Sequence, residues 1–194
     1  MNDRTFHVSD AHKLEDPERL AWLPPGEVLG HLGSIEGLNI ADIGAGTGYF
    51  ALPFAHGTGA KGRVFAVDFQ EGMLTLIRRK LAGTDTLGNV TLLHGEAAAT
   101  GLLANSCDIV FLANVWHELD KTDNVLGEIR RVLRQEGRLA ILDWRADTAP
   151  PPGPPAAHRV SAEDLNASLR RRGWDAAAPV HVGRYHYFQV ASLP

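Results

Sequence analysis

The chain has 194 residues, of which 44% are hydrophobic and 22% are charged, a composition ordinary for a globular protein with a substantial core. No apolar stretch approaches the ~20 residues that cross a bilayer. A net charge of −4 argues against a nucleic-acid partner, which requires a basic face. The polar start of the chain shows no apolar leader, and the single Cys107 can form neither an internal disulfide nor a cysteine zinc cluster. We therefore expect a cytoplasmic protein without a membrane span.

The first predicted elements lie within residues 10–32, where apolar residues recur at helical spacing and are interrupted by Pro24 and Pro25. Proline is tolerated at the first turn of a helix and breaks its interior. The pattern predicts two short helices joined at a proline hinge.

A glycine-rich turn follows the first predicted strand. An apolar strand over about residues 38–44 runs into Gly44, Gly46 and Gly48, and a helix is predicted over about 47–57. Glycines at this spacing let the backbone turn tightly and leave room for a ligand against the main chain. The free N–H groups at the start of the helix face the same place. The segment therefore predicts a ligand-binding turn.

A second strand, over about residues 63–69, carries an acid at its carboxyl end. Asp68 lies 20 residues after Gly48, where a carboxylate accepts hydrogen bonds from both hydroxyls of a ribose. Strand, glycine turn, helix, strand and acid together predict a nucleoside site. Tyr49 takes the place of the third glycine of a dinucleotide fingerprint, and the chain has no Gly-Lys-Ser/Thr triplet of a phosphate-binding loop.

The remaining core continues the alternation of strand and helix. Strands are predicted over about residues 90–95, 107–115 and 137–144, and helices over about 71–82 and 120–134. The strands lack clean polar–apolar alternation, as expected when both faces of a parallel sheet are covered by helices. The predicted fold class is α/β.

The last fifty residues change in character. Ala149–Pro155 is too rich in proline for a helix or a sheet, so it is either a spacer or a rigid wall beside the carboxyl ends of the strands. Ser161 and Asp164 predict the capped start of a helix that ends at Gly173. Two strand-like runs around Gly183 suit an antiparallel hairpin at the edge of the sheet.

Five segments, in order, resemble the class I S-adenosylmethionine-dependent methyltransferases. The first is the acid two residues before G-x-G-x-G. The others are VDFQEGML around Asp68, HGEA at 94–97, CDIVFLANVWHEL at 107–119 and EIRRVLRQEGRLAILDW at 128–144. The resemblance implies a doubly wound, mostly parallel, seven-stranded sheet with an antiparallel C-terminal strand. It also implies that S-adenosylmethionine is the cofactor and S-adenosylhomocysteine the product.

The same resemblance divides the chain into parts. Residues 1–194 are expected to form one methyltransferase domain. Its parts are an N-terminal helical lid (1–35), a cofactor-binding core (37–145), a proline-rich loop (146–160), and a C-terminal helix and hairpin (161–194). Leading helices in this family often roof the substrate cavity, although simple packing on the sheet is an equal alternative here.

Site residues carry over where this sequence matches the family's motifs. The methionyl part and sugar of the cofactor are expected to contact Asp42, Gly44, Ala45 and Gly46. The ribose and adenine are expected to contact Asp68, Phe69 and Met73, and the edge of the adenine is expected to contact Glu96 and Ala97. The sulfur of the methyl donor is expected to lie near Asn114 and Val115, at the end of the fourth strand. The family more often has aspartate where Glu96 stands. As alternatives to cofactor binding, Asp42 could serve only to orient the loop and Asp68 only to cap the next helix.

His117 is the candidate general base, because imidazole titrates near neutral pH and this residue lies where donor and acceptor should meet. The alternative is that His117 only shapes the turn after the fourth strand. Many enzymes of this type need no strong base, since alignment of donor and acceptor supplies much of the acceleration.

The expected activity is methyl transfer to a small-molecule acceptor by a monomer or homodimer. The histidines show no metal-ligand spacing, so no metal site is expected. One alternative is a non-catalytic S-adenosylmethionine-binding module, which would lack an enclosed acceptor pocket. A less favoured one is a nicotinamide-dependent oxidoreductase, which Tyr49 argues against.

Overall fold

The computed structural model describes residues 6–84, 88–149 and 152–194. Residues 1–5 of the predicted N-terminal lid and residues 150–151 of the predicted proline-rich loop lie outside this part of the chain. In the described residues the predicted α/β architecture is confirmed.

The described residues form a mixed sheet of eight strands in the order β3-β2-β1-β4-β5-β8-β6, with β7 also paired to β8. The strands are β1 (Asn39–Ile43), β2 (Arg63–Asp68), β3 (Val90–His94), β4 (Cys107–Ala113), β5 (Leu133–Trp144), β6 (Asp175–Ala176), β7 (Val180–Val182) and β8 (His186–Ser192). Strands β1 to β5 are parallel, and β8 runs antiparallel to β5. The chain order reverses beside β1, where open α/β sheets bind ligands.

The predicted hairpin is present, with one interruption. Strands β6 and β7 both pair with the outer edge of β8, at its end and at its start respectively. They are separated by residues 177–179, and Pro179 has no N–H to donate to a ladder. The sheet is therefore seven strands wide, as the resemblance implies.

Six α-helices and three 3₁₀ segments cover the described part of the chain. The helices are α1 (Arg19–Trp22), α2 (Pro25–Leu32), α3 (Ala51–Thr58), α4 (Glu71–Ala82), α5 (Thr122–Val132) and α6 (Ala162–Arg171). The 3₁₀ segments are Val8–Glu15, Trp116–Glu118 and Ala156–His158. Pro24 caps α2 and Pro25 begins it, so the predicted proline hinge is confirmed.

Two predicted boundaries were wrong. Helix α3 begins at Ala51 instead of near Thr47, because Gly46 (φ 54°) and Gly48 (φ 84°) adopt left-handed conformations that a right-handed helix excludes. Strand β5 begins at Leu133 instead of 137, since a bulge lets the buried Leu133 pair with Cys107 before the regular register starts at Arg138.

Both faces of the sheet are covered by apolar side chains. On β4, Ile109 and Phe111 belong to the core under α2, α3 and α4, whereas Val110 and Leu112 belong to the core under α5 and α6. This arrangement explains why the strand sequences lack alternation. The cap of α6 also forms as predicted, since Ser161 Oγ accepts from the Asp164 N–H at 3.0 Å.

Candidate active site

The carboxyl ends of the central strands open on a cavity of about 1000 Å³. Every site residue predicted from the sequence lines it: Asp42, Gly44, Ala45, Gly46, Asp68, Phe69, Met73, Glu96, Ala97, Asn114, Val115 and His117. The N-terminal segment and the described part of the proline-rich loop supply the remaining walls. The fold thus gathers residues that are up to 75 positions apart in the chain, from Asp42 to His117, into one site.

The glycine loop is held in shape by β2. The N–H groups of Gly44 and Ala45 donate to the Val67 carbonyl at 2.8 and 3.0 Å. A Cβ at Gly44, where φ is 73°, would collide with the Val115 side chain. Glycine is therefore required at this position both for its backbone conformation and for its lack of a side chain.

Asp68 links the glycine loop to the start of α4. Its Oδ2 accepts from the Gly46 N–H and its Oδ1 from the Gln70 N–H, each at 2.9 Å. The side chain is buried, and burial raises the pKa of the carboxyl although the bonds from Gln70 and Gly46 oppose the shift. Each carboxylate oxygen retains a further lone pair that can accept from a ligand.

Two acceptor atoms beside the glycine loop are buried without a hydrogen-bond partner. They are Asp42 Oδ2 and Asn114 Oδ1. Burial and the charge of Asp68 raise the pKa of Asp42 to about 7, against the effects of the Ala51 amide and Arg19. Asn114 is held at φ 58°, and its N–H donates to the Leu142 carbonyl at 2.8 Å. Buried unpaired acceptors are costly, so this site suits a ligand that supplies donors.

Phe69, Met73 and Glu96 add two apolar side chains and one acid to the lining of the cavity. Phe69 is 46% exposed, whereas Met73 is buried. The backbone of Glu96 forms an isolated bridge to Ala99, and the exposed Glu96 lies at the rim. Such a surface can pack against the face of a purine while an acid meets its edge.

His117 is paired with a buried acid that the sequence interpretation did not identify. His117 Nδ1 lies 2.7 Å from Asp143 Oδ1, and the His117 N–H donates to Asp143 Oδ2 at 3.0 Å. The carboxylate partner assigns the proton to Nδ1 and leaves Nε2 as the basic nitrogen. The only available signal for Asp143 was an acid inside the apolar strand LAILDW.

The pKa of His117 is raised. Burial lowers it, but the hydrogen bond and charge of Asp143, together with the charge of Glu118, outweigh that effect. Burial also raises the pKa of Glu118 to about 7. Glu118 Oε1 accepts from the Phe6 N–H at 3.2 Å, so the same turn holds the N-terminal segment over the cavity.

A second contact holds that segment in place. The Gln70 side-chain amide donates to the Phe6 carbonyl at 2.8 Å and accepts from the Val8 N–H at 3.0 Å. Gln70 directly precedes α4 and lies two residues after the carboxyl end of β2, so these bonds hold residues 6–8 beside that end of the strand.

The far wall of the cavity is aromatic. The ring centroids of Trp22 (α1) and Trp144 (β5) lie 5.6 Å apart. Trp22 stacks on His186 at 5.7 Å, and Trp144 contacts the same imidazole in a tilted arrangement at 4.2 Å. His186 is fully buried, and burial lowers its pKa to about 3, so it is neutral. A Cβ at Gly153 would lie 2.7 Å from the Trp144 ring, so the proline-rich loop packs its backbone on the indole.

Arg159 holds the described part of the proline-rich loop. Its buried guanidinium donates five hydrogen bonds, to the carbonyl oxygens of Arg145, Thr148, Pro152 and Pro154 and to Thr148 Oγ1. Since Pro152, Gly153 and Pro154 line the cavity, the loop is a wall of the site and not merely a spacer. Residues 150–151 of this stretch lie outside the described residues.

Two kinds of feature are absent from the described residues. They contain no group of three or more histidine, cysteine or acidic side chains placed to hold a metal ion. None of their helices is long and apolar enough to cross a membrane.

Known proteins resemble this chain in both sequence and fold. A family model described as a methyltransferase domain matches residues 41–141, just over half of the chain. The ubiquinone/menaquinone biosynthesis C-methyltransferase UbiE of Shewanella sp. (strain ANA-3) is 31% identical over 112 residues, which are 58% of this chain and 45% of that protein. The demethylmenaquinone methyltransferase of Listeria monocytogenes is 34% identical over 115 residues, 59% and 48% of the two chains.

The chain thus spans about half the length of the curated relatives it matches. A solved structure resembles it over nearly its whole length. The S-adenosylmethionine-dependent methyltransferase from Aquifex aeolicus is 33% identical, with a TM-score of 0.90 over 96% of this chain and 98% of that one. The resemblance to S-adenosylmethionine-dependent methyltransferases, which was inferred from the glycine loop and four later segments, is confirmed, and so is the expected cofactor. The chain belongs to the S-adenosylmethionine-dependent methyltransferase family.

Proposed function

We propose that this protein transfers the methyl group of S-adenosylmethionine to a small molecule bound in the same cavity, releasing S-adenosylhomocysteine. The observation that carries the proposal is the joint presence, in one cavity, of the glycine loop with Asp68 and the buried His117–Asp143 pair. The first suits the cofactor, and the second suits the removal of a proton from an acceptor.

The chemistry of the lining residues suits the cofactor. In this proposal Asp68 accepts from the ribose hydroxyls, Phe69 and Met73 pack against the adenine, and Glu96 and Ala97 meet its edge; their presence in one cavity supports these roles. The unpartnered oxygens of Asp42 and Asn114 suit the donors of the methionyl ammonium group, beside Gly44, Ala45, Gly46 and Val115. A Cβ at Gly44 would collide with Val115, which lines the same part of the cavity, so the close packing of this loop depends on the glycine.

His117 acts in this proposal as the general base. S-adenosylmethionine supplies a methyl group already activated as an electrophile by its sulfonium centre. With the cofactor bound, the cavity would position an acceptor beside that methyl group, and such positioning supplies much of the acceleration. His117 Nε2 takes the acceptor's proton, and Asp143 keeps the other nitrogen protonated and stabilises the imidazolium that forms.

The acceptor side of the cavity favours a flat molecule. Trp22, Trp144 and Pro154 form a wall against which a ring can pack, next to His117. A hydroxylated ring would fit both the wall and the base. The names of the two curated relatives refer to ubiquinone, menaquinone and demethylmenaquinone, and a quinone-type ring is compatible with this wall.

The location, the oligomeric state, the partners and the division of the chain into parts stay predictions from the sequence. These are the cytoplasmic location, the monomeric or homodimeric state, the lack of a nucleic-acid partner, and the division of one domain into lid (1–35), core (37–145), loop (146–160) and C-terminal part (161–194). We propose that the lid and the loop close the acceptor end of the cavity. The hydrogen bonds of Phe6 to Glu118 and of Arg159 to Pro154 support this role.

The alternatives are weaker. A non-catalytic module has no use for an enclosed acceptor space, yet this cavity extends past the glycine loop to Trp144 and Pro154. A nicotinamide-dependent oxidoreductase is disfavoured by the family membership and by Tyr49 in the third-glycine place.

The proposal is tested by incubating the protein with S-adenosylmethionine labelled in its methyl group and a panel of phenols, hydroquinones, amines and thiols. We expect label to pass to a hydroxylated ring compound. Calorimetry with S-adenosylhomocysteine, NADH and ATP runs alongside, and binding of the first alone is expected. Binding of NADH without S-adenosylhomocysteine would overturn the proposal, and tight S-adenosylhomocysteine binding without transfer to any acceptor would favour the non-catalytic module.

A further inference from the structure

Arg19 is a buried cation in the cavity wall that lies outside the segment matched by the family. It is the first residue of α1, is 6% exposed and lines the cavity, whereas the family match begins at residue 41. A guanidinium has five N–H donors and no acceptor, so a buried one requires several partners. Those that this chain supplies are few.

Within the described part of the chain, the contacts of Arg19 leave its charge without a paired opposite charge and its Nε–H without an acceptor. Nη1 donates to the Leu14 carbonyl at 3.1 Å, and the guanidinium carbon lies 3.9 Å from the centre of the Tyr49 ring. Nε has no hydrogen-bond partner. The nearby acid Glu15 is paired with Lys80 at 2.8 Å instead.

Arg19 is nevertheless charged at neutral pH. Burial lowers its pKa to about 10, while Tyr49, Glu15 and Asp42 act to raise it. In the part of the chain that the structure describes, no carboxylate forms an ion pair with it. A buried cation in this state is costly unless a ligand supplies an anion.

The position of Arg19 points to the glycine loop. Tyr49, on which it stacks, directly follows Gly48. Leu14, whose carbonyl orients it, has Cδ1 only 3.4 Å from the place that a Cβ of Gly46 would occupy. Asp42, with its unpartnered Oδ2, is near enough for each charge to affect the pKa of the other. A buried cation and a buried acid with unused polar atoms therefore lie beside the same loop.

This arrangement complements the zwitterion of an α-amino acid. We propose that Arg19 binds the carboxylate of the methionyl group of S-adenosylmethionine while Asp42 accepts from its ammonium group. The assignment rests on the proposed function and adds to it a binding residue from the N-terminal segment. Charge-assisted hydrogen bonds of this kind are about twice as strong as neutral ones. A carboxylate on the methyl acceptor has the same chemistry, so the test must separate the two sources.

The experiment compares three ligands by calorimetry, none of which requires an acceptor. S-adenosylhomocysteine has the ammonium and the carboxylate, decarboxylated S-adenosylhomocysteine has only the ammonium, and 5′-methylthioadenosine has neither. In the unaltered protein we expect S-adenosylhomocysteine to bind about tenfold or more tightly than its decarboxylated form. In Arg19→Gln the ratio should fall to within about threefold while the affinity for 5′-methylthioadenosine is retained.

Matched variants control for charge and folding. Arg79→Gln removes the same charge from an exposed position of α4 and should leave the ratio unchanged. Arg19→Met keeps an apolar side chain over Tyr49, and it is judged by the same ratio if Arg19→Gln does not fold.

The outcomes separate the possible failures. A ratio that is unchanged in the Arg19 variants overturns the assignment. A further titration with carboxylate-bearing phenols separates the two sources of the anion: if Arg19→Gln weakens their binding while the ratio stays unchanged, the anion belongs to the acceptor and the assignment is overturned. If the unaltered protein binds none of the three ligands, the proposed function itself fails, and this assignment fails with it.

Discussion

The two ends of the cavity are built in different ways. The proposed cofactor end is formed mainly by short segments within residues 42–97, joined by Asn114, Val115 and Arg19. Its shape is set by hydrogen bonds from backbone N–H groups, such as that of Gly44 to the Val67 carbonyl and that of Gly46 to the Asp68 carboxylate. The acceptor end combines Trp22, Trp144 and Pro154, which come from three distant parts of the chain. Its contacts are mostly between side chains or from a side chain to a loop. A sequence motif can specify the first kind of site, whereas the second depends on how distant segments pack.

The largest effect should come from His117. If its Nε2 removes the acceptor's proton, His117→Ala should lower turnover by about 10²–10⁴-fold while S-adenosylhomocysteine affinity is retained. The base must be neutral, so the rate of the unaltered protein should rise with pH through the raised pKa of His117. Steady-state assays across pH, with calorimetry of each variant, measure both quantities.

Asp143→Asn and His181→Gln complete that test. The first removes the charge that holds His117 and should lower turnover and change the pH profile, while the second replaces an exposed histidine of β7 and should do neither. Retention of most activity with an unaltered pH profile in His117→Ala would show that the residue only shapes its turn.

Asp68→Ala tests the cofactor end. It removes a charged acceptor, and hydrogen bonds to charged groups contribute about 1.5–3 kcal/mol each. We expect the affinity for S-adenosylhomocysteine to fall by about tenfold or more, as measured by calorimetry. Because Asp68 also accepts from Gly46, Asp68→Asn serves as a partner variant that keeps acceptor capacity. An Asp68→Ala protein that folds and binds with unaltered affinity would exclude the ribose contact.

Arg159→Met tests whether the acceptor end is independent of the cofactor end. The change leaves loop carbonyls such as those of Pro152 and Pro154 without their donor, and each such loss costs about 1–3 kcal/mol when the acceptor stays buried. We expect a lower free energy of unfolding in urea but an unaltered affinity for S-adenosylhomocysteine. Arg79→Met is the exposed control. A large loss of cofactor affinity would show that the two ends are coupled.

Asp42→Asn should give the smallest effects, and we expect it to stabilise the folded protein while it weakens cofactor binding. The pKa of Asp42 is raised from the ordinary 3.8 of an aspartate to about 7 in the folded protein, so the folded state binds the proton more tightly. Stability of the unaltered protein should therefore fall as pH rises from about 4 to 7, by linkage. Asn removes the buried charge, so the free energy of unfolding at pH 8 should rise by about 1 kcal/mol or more.

The same variant should bind S-adenosylhomocysteine more weakly, because the ammonium group loses a charged acceptor. Urea denaturation at pH 5 and pH 8 and calorimetry at pH 8 check both effects. A variant that is less stable at pH 8 than the unaltered protein would contradict the stability prediction.

The sequence by itself determined the elements whose information is local. The glycine loop and Asp68 were predicted because a tight turn restricts residue type, and the order of strands and helices followed from apolar patterns. The start of α3 was placed too early, since apolar periodicity does not reveal that Gly48 would be left-handed. The start of β5 was placed too late because a bulge depends on the neighbouring strand.

Only the tertiary structure decided the pairing of His117 with Asp143, the contact between the rings of Trp22 and Trp144, and the place of Arg19 above Tyr49. These contacts join residues 26 to 122 positions apart. No local pattern encodes them, because an acid in an apolar strand or an arginine in a short helix has the same sequence environment whether it faces solvent or a ligand. Burial and partner together give these side chains their chemistry, and both are properties of the packed chain.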